Sequence, residues 1–420
     1  MVSILFIAFF VLVVIGLPIA ISLGVASLCA IHFASHMPFL ILPQKVFNGV
    51  NSFPFMAIPL FLLAGNIMAE AKISDKLVAL ASALVGRFPG GLAHITTGAS
   101  AFFGAISGSA PATTAAIGSI MIPSMSKRGY SRSFSAAVVA ASGALGLIIP
   151  PSLTMVVFGV IAGASIGDMF ISGIVPGLLI AFALLTVNYY IARKRGFVRE
   201  EDIRQGEFGT VIKDSLLALL MPLIILGGIY SGIFTATESA AVACLYGVIV
   251  GMFVYRTLTL KGVYNILKNT AENAALIMFL MGTANLFGFI ITAEQVPQHL
   301  ASMLMGLTSN TTIVMLIIMV MLLVIGTFLD NVAALVLFVP TIMGVVNAMN
   351  INPVYFGVFT IIALAVGQFT PPVGLNLFIA CNIAEERLEV VVKDVVPYLL
   401  VYLTLLVLFA FVPGLLTLFL

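Results

Sequence analysis

The sequence predicts an all-α polytopic membrane protein of two inverted repeats, each with a re-entrant helical hairpin and a helix broken at a Pro-Pro pair. Three observations lead there. The 420 residues are 61% hydrophobic and only 8% charged, with a mean hydropathy of +1.22, whereas soluble domains carry about 25% charged residues. Pro150-Pro151 and Pro371-Pro372 interrupt long apolar stretches, and no Lys or Arg occurs from Asn269 to Glu386. The net charge of +2 signals no nucleic-acid partner, because Lys and Arg in such a chain act mainly as orientation markers. Cys29, Cys244 and Cys381 lie far apart without a CxxC pair, which argues against a disulfide framework or a metal site.

A hydrocarbon core about 30 Å thick takes about 20 helical residues per crossing, so there is room for on the order of ten crossings. Residues 1–34 precede the first basic residue, Lys45; they lack the charged start of a secretory signal and are expected to stay in the mature protein. Gly16-Leu17-Pro18 either divides this stretch into two short crossings or kinks one. Residues 53–70 follow as a crossing. Residues 97–125 contain SGSAPATTAAIGSIMIP, too rich in Gly, Ser, Thr and Pro for a lipid-facing helix, so a hairpin enclosed by protein is predicted. In 134–164 the segment GALGLIIPPS loses two amide donors at its prolines and must break. Crossings at 168–192, 214–234, 239–256 and 270–292 lead to a second polar hairpin at 311–346, a second break in GQFTPPVGLNLF within 353–384, and a last helix at 395–420.

The element order, crossing, amphipathic arm, hairpin, broken helix and crossing, occurs twice. Pro150 and Pro371 are offset by 221 residues, and Pro123 and Pro340 by 217. Gly65/Gly288, Ile73/Val296 and Leu77/Leu300 share an offset of 223. Charge sets the direction. The first arm and hairpin carry Lys72, Lys76, Arg87, Lys127, Arg128 and Arg132, whereas the second arm has only Glu294 and His299. The first hairpin therefore opens to the cytoplasm and the second away from it. Arg193, Lys194, Arg195, Arg199 and Arg204 mark 193–213 as a cytoplasmic interfacial connector. The units expected are scaffold helices at 1–70; arm, hairpin and broken helix at 71–166; scaffold helices and connector at 167–292; the second arm, hairpin and broken helix at 293–394; and a C-terminal helix at 395–420.

Inverted repeats with paired hairpins and broken helices are how secondary transporters build a site near the midplane for substrate and coupling ions. Unwound backbone offers carbonyls to a dehydrated cation, and helix N-termini offer amides to an anion. Asp330, in GTFLDN, is the one charge between Met315 and Val346. An ionised Asp at the bilayer centre costs about 2.5–3.5 kcal/mol on insertion scales, so a coordinated cation, a structural hydrogen bond or a proton must compensate. The first-repeat position matching it at offset 217 is Thr113. Ser107 and Ser109 either ligate ion or substrate or satisfy a tight turn. Thr154 and Asn376, just beyond the two breaks, either face a cavity or pack. Glu238 and Glu272 read as helix-capping carboxylates, and Gly159, Gly163 and Gly167 as helix packing. His94 and His299 have no evident partner.

Together the tip SGSAPATTAAIGSIMIP, the breaks GALGLIIPPS and GQFTPPVGLNLF, and the hairpin GTFLD resemble the large membrane subunit of tripartite ATP-independent periplasmic (TRAP) transporters over nearly the whole chain. The resemblance implies an elevator-type ion-transporter-like fold in the bacterial inner membrane. It also implies Na+-coupled import of an organic acid delivered by a soluble periplasmic substrate-binding protein. A small four-helix membrane subunit is the third component, expected as a separate chain because nothing precedes Met1 here. Carried over, one Na+ site uses Ser107, Gly146 and Pro150. A second uses Gly326, Asp330, Gly367, Thr370 and Gly374. Substrate lies near Ser109, Thr113, Thr154 and Asn376, and no organic cofactor is implied. Some acidic-sugar members have Asp where this chain has Thr113, and the second repeat has no basic residue for a carboxylate. A C4-dicarboxylate or similar small carboxylate or sulfonate is therefore favoured over sialic acid.

No GxxxxGK[ST] is present. The energy would come from the membrane potential, about 2.3 kcal/mol per net charge per 100 mV. Three rival classes remain: a stand-alone Na+/divalent-anion symporter, told apart by transport without a binding protein; a channel, by non-saturating flux; and a membrane enzyme, disfavoured by the lack of HExxH and GxSxG. Single cysteines introduced at Ser126 and Asn310 should be labelled from opposite faces of the membrane; labelling from one face contradicts the inversion.

Overall fold

In the computed structural model, which describes residues 1–34, 37–71, 73–86, 88–197 and 208–420, Gly16 (φ +92°) and Pro18 divide the first apolar stretch. The result is α1 (Val2–Val14) and α2 (Ile19–Ala34), which pack on each other. His36, Lys72, Arg87 and residues 198–207 of the basic connector, with Arg199 and Arg204, lie outside the described residues. The short α3 (Ile41–Asn48) leads through a Pro54 turn to α4 (Ala57–Glu70). The arm α5 (Ile73–Val85) buries Ile73, Leu77, Leu80 and Ala81, the stripe a surface helix turns inward. Then come α6 (Gly91–Ser107) and α7 (Ala110–Lys127), joined by a two-residue turn in which Gly108 (φ +59°) ends one helix and Ser109 caps the next. The first broken helix is α8 (Arg132–Gly143), α9 (Leu145–Ile148) and α10 (Leu153–Ala162), bent by 43°.

Ser165 caps the long α11 (Ile166–Arg195), and Gly196 (φ +71°) ends it. Two helices follow, α12 (Phe208–Tyr230) and α13 (Ala236–Ile249), the second started by a capping box between Thr235 and Glu238. Glu238 is thus a cap, as its sequence position suggests. Glu272 is not: Thr259 caps α14 (Leu260–Ala293), which begins well before the apolar stretch. Glu272 lies three turns in and pairs with Lys268 at 4.0 Å. The chain ends with the arm α15 (Val296–Leu307), the hairpin helices α16 (Thr311–Phe328) and α17 (Asn331–Ala348), the broken pair α18 (Pro353–Gly367) and α19 (Leu375–Ala384), and α20 (Leu388–Phe411).

Among the described residues, seven helices are long and apolar enough to cross a membrane, or eight if the bent pair counts as one. That is fewer than the length allows. Gly16-Pro18 and the Pro-Pro pairs cut apolar stretches into helices of 10 to 16 residues, about 15–24 Å long.

Packing follows a reciprocal scheme. Beyond the first break, α10 lies against α17 and α18; beyond the second, α19 lies against α7 and α8. The broken helices run antiparallel. Arg132, which opens the first, donates to the Ala384 carbonyl (3.4 Å) and pairs with Glu385 (3.1 Å) at the end of the second. At the other end Phe158 of α10 meets Phe356 of α18, centroids 5.9 Å apart. Another group is formed by α1–α4 and α12–α14, with α4 against α13 and α14, and α14 against α2 and α3.

Chain order assigns α11 to the scaffold, but its packing is mostly with α6, α10, α18 and α20. Buried Asn188 explains why. Its amide donates to the Ala93 carbonyl (3.0 Å) and to Thr97 Oγ1 (2.9 Å), and its oxygen accepts from Tyr398 (2.6 Å). Thr97 in turn meets Ser142 at 2.8 Å. One polar chain therefore ties α20, α11, α6 and α8 together inside an apolar core, where each partner lost strands another. At the basic end of these helices Arg195 pairs with Asp394, which also accepts from Ser133 at 2.6 Å. Asn188→Ala should lower stability by about 1–3 kcal/mol, read as a lower unfolding temperature in detergent; an unchanged temperature contradicts the network's structural role.

Candidate functional site

In the first repeat the hairpin turn and the Pro-Pro break are in direct contact. A Cβ on Gly104 would lie 2.8 Å from the Gly146 Cα, and one on Gly146 would lie 2.5 Å from Thr113 Oγ1 and 2.7 Å from the Ser109 carbonyl. Only glycine admits that approach. Pro150 and Pro151 remove the amides that would bond the Gly146 and Leu147 carbonyls in a helix. Around this point the Thr113 hydroxyl donates to the Ser109 carbonyl (2.8 Å) and meets the Ser107 hydroxyl (2.9 Å). The Leu153 amide, just beyond the break, donates to the Gly108 carbonyl at 3.2 Å. Ser107, Ser109, Thr113, Gly146 and the Pro150 break are thus brought together. Their chemistry is uniform: neutral hydroxyl and carbonyl oxygens.

Thr154 is buried and its hydroxyl is 2.8 Å from that of Ser152, the cap residue of α10. Ser109 Oγ caps α7 by accepting from the Ala112 amide at 3.4 Å.

The second hairpin and the second break make the same kind of junction. Gly367 lies on Gly326, so that its Cβ would fall 2.5 Å from the Gly326 carbonyl carbon. The Gly374 amide donates to the Thr327 carbonyl at 3.1 Å. Gly374 has φ +58°, with the Thr370 and Gln368 carbonyls 2.9 and 3.0 Å from where its Cβ would stand. The Gln368 carbonyl, deprived of a helical donor by Pro372, accepts from the Asn376 backbone N–H at 2.9 Å. Thr370 donates its hydroxyl to the Val366 carbonyl at 2.6 Å. Asp330 caps α17, one oxygen accepting from the Val332 amide at 3.0 Å, and the residue is open to the exterior of the chain. The positive end of α17 therefore supplies compensation that the sequence alone did not reveal.

This corrects the matching of positions between the two hairpins. The counterpart of Asp330 is Ser109, since both cap the second hairpin helix, and the offset of 221 residues equals that of the Pro-Pro pairs and of Gly146 to Gly367. Thr113 instead sits one turn into α7, facing Gly146.

Asn376 is fully buried, and neither atom of its side-chain amide finds a hydrogen-bond partner; Asn331 Oδ1 and Gln368 Oε1 are also buried without one. Buried polar atoms of this kind ask for a polar occupant. Asn331, Gln368 and Ser152 are not among the expected site residues, although each is a polar residue inside the GTFLDN, GQFTPPVGLNLF or GALGLIIPPS segment. The remaining candidates are structural. Gly159 packs on Ile166, Gly163 (φ +68°) ends α10, and His94 is buried with its ring edge-on to Phe88 at 5.9 Å. Cys244 donates to the Leu60 carbonyl at 3.1 Å.

The chain is similar to known transporter proteins along its length. A family model described as "Tripartite ATP-independent periplasmic transporter, DctM component" matches residues 6–415. The isethionate TRAP transporter permease protein DctMQ of Oleidesulfovibrio alaskensis is 44% identical over 414 residues, which are 98% of this chain and 65% of that one, so this chain spans about two-thirds of that relative. The sialic acid TRAP transporter large permease protein SiaM of Vibrio cholerae is 36% identical over 95% of this chain and 93% of its own. The C4-dicarboxylate large permease DctM of Rhodobacter capsulatus is 35% identical over 95% and 94%. Among solved structures, the YdaH transporter of Alcanivorax borkumensis superposes with a TM-score of 0.69 over 98% of this chain and 99% of that one, at 14% identity. At that identity the likeness concerns the fold.

Gly367→Ala should lower the unfolding temperature, because overpacking costs about 1–3 kcal/mol. Gly227→Ala, in α12 with nothing within 4 Å of its Cβ position, should leave it unchanged or raise it. Equal effects at the two positions contradict the backbone-on-backbone junction.

Proposed function

The chain belongs to the tripartite ATP-independent periplasmic transporters as their large membrane subunit, and from that premise we propose that it imports a small organic acid by coupling to Na+. The observation that carries this reading is the double junction of hairpin turn and broken helix. Each presents backbone and hydroxyl oxygens at close quarters, and the second adds the Asp330 carboxylate, open to the exterior of the chain. Hard monovalent cations are held by such oxygens in place of their hydration shell. One Na+ is assigned to Ser107, the Ser109 and Gly146 carbonyls and the Pro150 break. A second is assigned to Gly326, Asp330, Gly367, Thr370 and Gly374. The organic anion is placed near Ser109, Thr113, Thr154 and Asn376, where helix-start amides and the unpartnered Asn376 amide can meet it.

The antiparallel broken helices and their reciprocal packing support two inverted repeats with re-entrant hairpins. Length does not separate α16 and α17 from ordinary crossings, but their turn abuts residues 367–374 in the interior of the second broken helix. An elevator mechanism follows, in which the hairpins, broken helices, α11 and α20 move against α1–α4 and α12–α14 in the bacterial inner membrane. The partners are a periplasmic substrate-binding protein and a small four-helix membrane subunit.

For the substrate, a small sulfonate or C4-dicarboxylate is favoured. The 44% identical relative is named for isethionate and the 36% identical one for sialic acid. Thr113 also gives the first junction a neutral hydroxyl, and the second has no basic residue for a larger sugar acid. Importing more than two Na+ with a divalent anion carries net positive charge inward, about 2.3 kcal/mol per charge per 100 mV, enough to concentrate substrate.

In vesicles containing the assembled transporter, Asp330→Asn should abolish uptake or raise the half-saturating Na+ concentration at least about tenfold, the scale of one charge-assisted interaction, with the protein still folded. Unchanged sodium dependence contradicts the ion assignment.

A further inference from the structure

Lys45 stands apart from the other cations of the chain. Its ammonium lies 4.1 Å from the ring centroid of Phe289 on α14. Counted from Lys261 at the basic start of that helix, Phe289 is 28 residues on, about 42 Å at 1.5 Å per residue against a hydrocarbon core about 30 Å thick. Lys45 therefore sits at the membrane boundary opposite the basic loops, where the positive-inside rule disfavours it. Among the described residues no carboxylate pairs with it. The Phe289 face holds the ammonium without neutralising it.

Lys45 borders a cavity of about 400 Å3 between the two groups of helices. Asn48, Asn285 and Thr292 line it from the scaffold side, and Val160 of α10 and Val336 of α17 from the other. The size is that of a small-molecule pocket. The lining offers one unpaired cation, two amides, one hydroxyl and an apolar wall, which is the complement of a short anion with a small carbon body.

We propose that this cavity is an entry subsite for the transported acid on the non-cytoplasmic side, with Lys45 receiving its sulfonate or carboxylate before it reaches the junctions. The proposal rests on the transport reading above. It also accounts for where the positive charge missing from the second repeat is supplied: on the scaffold wall of the path and not in the moving half.

The test uses the assembled transporter in sealed vesicles with 2-hydroxyethanesulfonate as probe. Lys45→Gln should raise the half-saturating concentration of the probe about tenfold, the scale of one charge-assisted hydrogen bond, and leave the sodium dependence as in the parent. Lys45→Arg should stay within about twofold of the parent. Lys45→Cys should behave like the Gln variant, recover on modification with an aminoethyl thiosulfonate, and fail to recover with a sulfonatoethyl one. Recovery by charge alone is something a folding defect would not show. Equal half-saturation in parent and Gln variant overturns the proposal, as does a defect confined to vesicles containing anionic lipid, which would assign the ammonium to lipid head groups. Failure of the parent complex to take up both this probe and a C4-dicarboxylate, by contrast, would overturn the transport reading itself.

Discussion

A helix interrupted deep within an apolar protein leaves carbonyls without donors, and everything in this fold is arranged around that constraint. Pro150-Pro151 and Pro371-Pro372 impose it twice. Water cannot relieve it at membrane depth. The hairpin turns reach the breaks and accept hydrogen bonds from amides there, Leu153 to the Gly108 carbonyl in one half and Gly374 to the Thr327 carbonyl in the other, while the freed Gln368 carbonyl is met inside its own broken helix by the Asn376 backbone amide. Such proximity is possible because Gly104 meets Gly146 and Gly326 meets Gly367 with no side chain between. The same geometry concentrates oxygens, and these are the atoms to which the proposed Na+ sites are assigned.

The rest of the chain holds these junctions in place. Antiparallel broken helices put the end of each beside the start of the other, and α10 and α19 each lean on the opposite repeat. A tight turn in one half is therefore supported by helices of the other. Asn188 and Tyr398 extend that support to α11 and α20 through a chain of buried hydrogen bonds. The proposed elevator motion asks for a unit joined in this way, one that keeps both junctions intact as it moves. In the proposed cycle the scaffold's contribution to the path is static: the ammonium of Lys45, held over Phe289, where the anion would arrive.

Much of this was legible in the residues. A Pro-Pro pair removes two neighbouring amides, whereas the single Pro123, Pro176 and Pro340 stay inside continuous helices, so the two breaks could be placed without coordinates. Partner choice was not legible. With 37 glycines in the chain, nothing local marks Gly146 as the one that faces Gly104, and Asn188 finds Tyr398 only through the tertiary fold. The register error has a definite cause. Pro123 is the fourteenth residue of α7, whereas Pro340 is the tenth of α17, so matching prolines paired Asp330 with Thr113 and not with Ser109. Helix caps would have been the better ruler, because a cap is tied to the turn that touches the break. The cap also resolves the charge of Asp330, whose nearest compensation is the dipole of its own helix.

Because bound cations stabilise the folded state by mass action, the most direct measurement is the unfolding temperature of the purified chain in detergent, with Na+ exchanged for K+ or choline at constant ionic strength. A rise specific to Na+ that is lost in the Asp330→Asn chain is expected if the junctions hold the ion. The same temperature in all three salts would contradict the idea that the paired turns and breaks form cation sites.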